Sequence, residues 1–175
     1  TGGDLGAYIV STNSSFGVNY GQPENYPLWG AMYDAMGEEG IISAAATMNI
    51  NANVDEVGDV PTSFSSPYLL GVTNTTRYDQ KSNSAAYGPT TIDLGAPGTQ
   101  ILSTTPNNNY SNSSGTSMAS PHVAGAIGLM YAAAPEALLN QYENQPDELA
   151  LIMKDLLLAG VDVLPSLEGM TVSGG

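Results

Sequence analysis

"GIISAAA", residues 40–46, carries no charge and shows no alternation of polar and apolar positions. A strand with one wet face alternates, whereas a strand covered on both faces does not. The run therefore predicts a strand inside a parallel sheet. Just upstream, "YPLWGAMYDAMGEEG" (26–40) places Leu28, Met32 and Ala35 at i, i+4 and i+7. That spacing predicts an amphipathic helix with Pro27 in its first turn and Gly40 beyond its end. Further upstream, "GAYIVSTNSSFG" (6–17) predicts a buried strand, Tyr8 to Val10, whose apolar signal begins at Ala7 and whose polar turn ends at Gly17. Strand, helix and strand in about 40 residues make one βαβ unit.

Downstream, residues 47–66 form a long polar stretch, and a loop of that length in a compact domain is usually functional. "YLLGVTNTT", "TTIDLGAPG" and "ILSTTP" predict three more strands, and "NNNYSNSSG" (107–115) predicts a flexible loop. A helix opens at Ser117 and runs to about Ala134, before Pro135. In a last helix Leu149, Ile152, Met153, Leu156 and Leu157 form one apolar stripe that should pack on the core. With no internal repeat, residues 1–175 read as one α/β domain.

Charge narrows the function. Three Lys and Arg face 17 Asp and Glu, a formal net charge of -14. Such a surface repels phosphate backbones and anionic lipid, so nucleic-acid partners are not expected. No apolar run approaches the roughly 20 residues of a membrane span. The absence of cysteine excludes disulfides and thiolate metal sites. The opening "TGGDLGAYIV" has neither a basic region nor a cleavage site and reads as a start inside a domain.

"NSSGTSMASPHVAG" (112–125) holds the chemistry. Ser117 follows Gly115 and Thr116 at a helix start, where unpaired N–H groups and the helix dipole stabilise an anion. An acyl-transfer nucleophile needs that environment, because negative charge develops on the attacked carbonyl oxygen. The plain alternative is that Ser117 is a helix cap. A nucleophilic serine also needs a base. The chain's one histidine, His122, stands five residues on, about 140° around the helix from Ser117. It is read as a core histidine bonded to backbone. A Ser–Lys pair with Lys81 or Lys154 has no support in their spacing.

"GTSMASPHVAGAIGLMYAAAP" resembles the nucleophile segment of the subtilisin-like serine proteases, the subtilases. Ala119 stands where the nucleophile elbow of α/β-hydrolases would need glycine. "LGAPGTQILSTTPNNN" resembles the family's A-P-G strand, and "GIISAAATMN" its strand ending in A-A-G-N. "NSSFG" resembles the segment that walls one side of the substrate cleft. The likeness covers about residues 6–170 and implies part of a three-layer sandwich, a mainly parallel sheet between helices. It further implies peptide or protein substrates and places the nucleophile at Ser117. Asn49 would complete the oxyanion hole, with Asn51 and Asn53 as fallbacks. Ser15, Phe16 and Gly17 would form one cleft wall, with Ala46, Thr47 and Met48 opposite.

The sequence departs from the family twice. Met48 stands where the family usually has glycine, and its bulk should narrow the primary pocket or shift Asn49. The family's Asp and His motifs are also absent, so the expected base lies on a segment preceding Thr1. The chain alone is then expected to be inert and unstable. It should pair with that N-terminal part of the catalytic domain or with another copy. The alternative class is an inert fragment or binding scaffold. The resemblance implies a secreted, periplasmic or cell-surface location. No cofactor is required, although subtilases often carry structural Ca²⁺, and "NVDEVGD" offers Asp55, Glu56 and Asp59 as oxygen ligands. A solvated acidic loop is the simpler reading of that run. The N-x-S/T matches at Asn13, Asn74, Asn109 and Asn112 are expected by chance in so Asn- and Ser-rich a chain.

Overall fold

The computed structural model describes residues 8–175. Four parallel strands form its central sheet in the order β1 (Ser11–Ser14), β3 (Ile42–Ala46), β5 (Leu69–Thr75) and β6 (Leu94–Pro97). β3 and β5 are buried along their whole length, as an unalternating run requires. Between β1 and β3 the chain crosses through α1 (Pro27–Glu38). The first strand lies later than the apolar signal suggested. Tyr8 and Ile9 are exposed, and pairing begins only where Val10 accepts from Ile42 N–H. Ala7 lies outside the described residues.

Three layers result. Ile42, Ala44, Leu70, Val72, Leu94 and Ala96 pack on one face of the sheet against α3 (Thr116–Ala133) and α5 (Pro146–Ala159). Ala45 and Leu69, of opposite parity, pack against Tyr33, Trp29 and Met36 of α1 and against Phe64. A short α4 (Glu136–Gln141) joins α3 to α5. Of the expected α5 stripe, Leu149 and Met153 are buried while Leu156 is half exposed.

Three local expectations are corrected. The buried stripe of α1 is Trp29, Tyr33, Met36 and Gly37, while Leu28 and Met32 lie outside at 85% and 56% exposure. Both stripes share one helical spacing, a residue apart, so spacing alone does not choose. The choice falls to the aromatic rings and to Gly37, where a Cβ would stand 1.9 Å from the Tyr68 ring. The asparagine-rich loop is instead β8 (Asn109–Ser113), pairing antiparallel with β7 (Ile101–Thr105). Asn107 and Asn108 turn that hairpin at φ 66° and 54°, a region asparagine enters readily. Residues 47–66 are likewise ordered into α2 (Val54–Val57) and β4 (Asp59–Val60), which pairs with β2 (Val18–Asn19).

Candidate active site

Parallel sheets place their working residues beyond the C-terminal ends of the strands. β1 ends at Ser14 and delivers Ser15, Phe16 and Gly17; β3 ends at Ala46 and delivers Thr47, Met48 and Asn49. These two segments face each other across a cavity of about 210 Å³. Its lining also includes Ser117, Asn19 and Asp59. The structure thus gathers all eight residues singled out from the sequence into one cleft.

Ser117 sits in the first turn of α3 but does not cap it, because Gly115 holds that position at φ 153°. Ser117 Oγ lies 3.4 Å from the Ser15 carbonyl, and Ser15 Oγ donates to the Ser117 carbonyl at 2.9 Å. Asn13, read from the sequence only as a chance N-x-S/T match, ties this wall to α3. Its Oδ1 accepts from Ser120 Oγ at 2.6 Å and its Nδ2 donates to Ser15 Oγ at 2.9 Å.

Asn49 is fixed by its oxygen. Thr116 N–H donates to Asn49 Oδ1 at 2.9 Å, and Thr116 Oγ1 lies 3.2 Å from the same atom while donating to the Thr47 carbonyl. A backbone N–H can only donate, so the amide orientation is settled and the NH₂ end has no partner among the described residues. Gly115 makes room for this contact, since a Cβ there would stand 3.1 Å from Asn49 Oδ1. The fallbacks are engaged elsewhere. Asn51 accepts from Lys81 Nζ, and Asn53 caps α2 through Asp55 N–H.

Met48 follows β3 into the lining of the cleft. Its side chain is buried with Val54, Ala86 and Ile92, and its N–H points to Asp59. Phe16 is 63% exposed and stacks on Trp29 with ring centroids 5.8 Å apart, so an aromatic cluster backs this wall.

Asp59 is the second residue unnoticed as part of the cleft. It is 2% exposed, and Oδ2 accepts from Thr47 Oγ1 and Thr62 Oγ1, each at 2.8 Å, and from Met48 N–H at 2.9 Å. Burial pushes its carboxyl above the ordinary value although these donors favour the charged form. Asp55 and Glu56 are exposed, and no group of three metal-ligating side chains occurs among the described residues.

The candidate bases are occupied. His122 is exposed rather than in the core, and its Nδ1 lies 2.8 Å from the Met118 carbonyl. It borders a shallow depression that reaches Ser117, yet no hydrogen bond joins the two. Lys81 donates to Asn51, Ser82 and Ala85, and burial lowers its pKa. Lys154 donates to the Pro67 and Leu69 carbonyls and lies 3.7 Å from Asp93. Asn74, one of the glycosylation matches, is 1% exposed.

A parallel sheet with a serine at the N-terminus of its central helix, beside a groove walled by two strand ends, is the architecture of an α/β serine hydrolase. More particularly, the model of the subtilase family matches residues 6–163, and the chain belongs to that family of serine proteases. It is 37% identical to thermitase of Thermoactinomyces vulgaris over 127 residues, 73% of this chain and 41% of thermitase. It is 32% identical to an intracellular serine protease of Paenibacillus polymyxa over 155 residues, 87% of this chain and 45% of that protein. Among solved structures, a cold-adapted subtilisin-like serine proteinase superposes with TM-score 0.61 at 28% identity, over 84% of this chain and 46% of that one. The chain spans less than half the length of each of these proteins. No described helix is long and apolar enough to cross a membrane.

Proposed function

We propose that this chain is the nucleophile-bearing portion of a subtilisin-like endopeptidase. Ser117 Oγ attacks the scissile carbonyl of a peptide held between Ser15–Gly17 and Ala46–Met48. The Ser117 N–H and the Asn49 amide receive the oxyanion. A histidine outside this chain takes the serine proton and passes it to the leaving amine, oriented by an aspartate that is likewise outside it. Water then hydrolyses the acyl-enzyme, and no cofactor is required. The observation that carries this reading is the clamp on Asn49. Thr116 holds the amide oxygen and leaves the amide nitrogen without a partner among the described residues, in a side chain that lines the same cavity as Ser117, so it needs no reorganisation during reaction.

The uncovered face of α3 supports a base supplied from elsewhere. The helix is apolar on nearly all sides, and such helices are normally buried all round. Yet Leu129 is 73% exposed, and among the described residues a Cβ added at Gly125 or Gly128 would meet nothing within 4 Å. The N-terminal part of the same catalytic domain is the occupant we assign to that face, with a second copy of the chain as the competing outcome. The isolated chain is then inert.

Labelling with an alkyl fluorophosphonate, read by mass spectrometry, tests the assignment. Ser117 should be modified in the full-length protein and not in residues 1–175 alone. No label in either makes Ser117 a structural residue, and labelling of the isolated chain means that it carries its own base. A secreted, periplasmic or cell-surface location belongs to the same proposal. Recovery of the native protein from the cytosolic fraction would replace it.

A further inference from the structure

One carboxylate oxygen in the cleft has no task. The hydrogen bonds that fix Asp59 fall on Oδ2, and Oδ1 has no partner among the described residues. Asp59 is nevertheless 98% buried by its 2% exposure, and it lines the same cavity as Ser117 and Asn49. Holding the Thr47–Met48 wall against Thr62 needs only the occupied oxygen. Opposite Asp59 in the β2–β4 ribbon stands Asn19, which also lines the cavity and brings no positive charge. A buried carboxylate without a cation bears a desolvation cost, consistent with the upward push on its carboxyl. A cationic group entering the cavity relieves that cost and gains a charge-assisted hydrogen bond. The cavity holds one side chain, and the molecule's net charge of -14 favours approach of positive substrates.

We propose that Asp59 is a specificity-determining residue that receives the ammonium or guanidinium of a Lys or Arg side chain next to the scissile bond. This rests on Ser117 being the nucleophile. The substrate class is therefore basic peptides, cleaved after the basic residue.

The test uses the full-length protein and peptidyl diphenyl phosphonates that differ only in the side chain beside phosphorus: Lys, Arg, Leu or Glu. A fluorophosphonate without a side chain reports Ser117 independently. Lys and Arg probes should modify Ser117 roughly 10- to 100-fold faster than the Leu probe, the range that a dry charge-assisted hydrogen bond supplies. Asp59→Asn should collapse the Lys-to-Leu ratio towards one. Asn19→Lys, on an exposed position, should lower the same ratio by placing a competing cation beside Asp59. Equal or Leu-favouring rates in the unaltered protein, with the plain fluorophosphonate still reacting, would overturn the role of Asp59 and leave Ser117 standing. An unchanged ratio in folded Asp59→Asn protein would overturn it too. Failure of every probe would overturn both readings.

Discussion

Thr116 has one hydroxyl proton and two acceptors near it, the Thr47 carbonyl and Asn49 Oδ1. Its backbone N–H gives Asn49 a second hold, so the hydroxyl is the weaker half of the clamp. Thr116→Val should therefore lower kcat by about tenfold with little change in KM, one hydrogen bond's worth of positioning. Asn49→Leu removes the proposed oxyanion donor outright and should lower kcat about 10²- to 10³-fold. Steady-state kinetics of the full-length variants separates the two, and equal losses would mean that Asn49 acts only as a spacer. At this scale the sequence was informative where residues sit in a contiguous motif. Ser117 and Asn49 each follow a local run that resembles the family's. Asp59 was not legible, because it stands in an acidic stretch with Asp55 and Glu56. Only the β2–β4 ribbon turns it inward while its neighbours face water.

Helix α1 shows how an element can be recognised with its face misassigned. Leu28–Met32–Ala35 and Trp29–Tyr33–Met36 obey the same spacing, and the discriminating residue is a glycine that spacing rules ignore. Gly37 lets Tyr68 lie on the helix backbone. Gly37→Ala should therefore destabilise by about 1–3 kcal/mol through overpacking. Leu28→Ser, at an exposed position, should stay within about 0.5 kcal/mol. Thermal melts of the two variants decide between the stripes. β8 escaped notice for another reason. Its residues are exposed throughout, so its pairing comes from the turn at Asn107–Asn108 rather than from an apolar pattern. The covered strands β3 and β5 were legible because burial on both faces leaves a continuous apolar signature.

For the whole molecule, the α/β class followed from the βαβ rhythm and the three-layer order from the family resemblance, but the balance of acid groups followed from neither. Asp59 and Asp93 both have carboxyls pushed above 3.8 by burial. Between that value and their higher folded values, the folded chain binds more protons than the unfolded one. Stability therefore rises as pH falls through that window. Relief of the self-repulsion behind a charge of -14 acts in the same direction. The melting temperature should rise as pH falls from neutral towards the ordinary carboxylate range, and Asp59→Asn should shallow that rise. A melting temperature that falls over this interval would show that the buried carboxylates are better paired than the fold indicates.

Ser15 and Ser117 exchange contacts across 102 positions of sequence, and Thr116 reaches Asn49 across 67. Contacts of such separation close late, after loop entropy has been overcome. The cleft around Ser117 is thus among the last features the chain acquires. A half-folded copy does not yet hold Ser15, Asn49 and Ser117 around one cleft, so the site exists only once the sheet and α3 have docked.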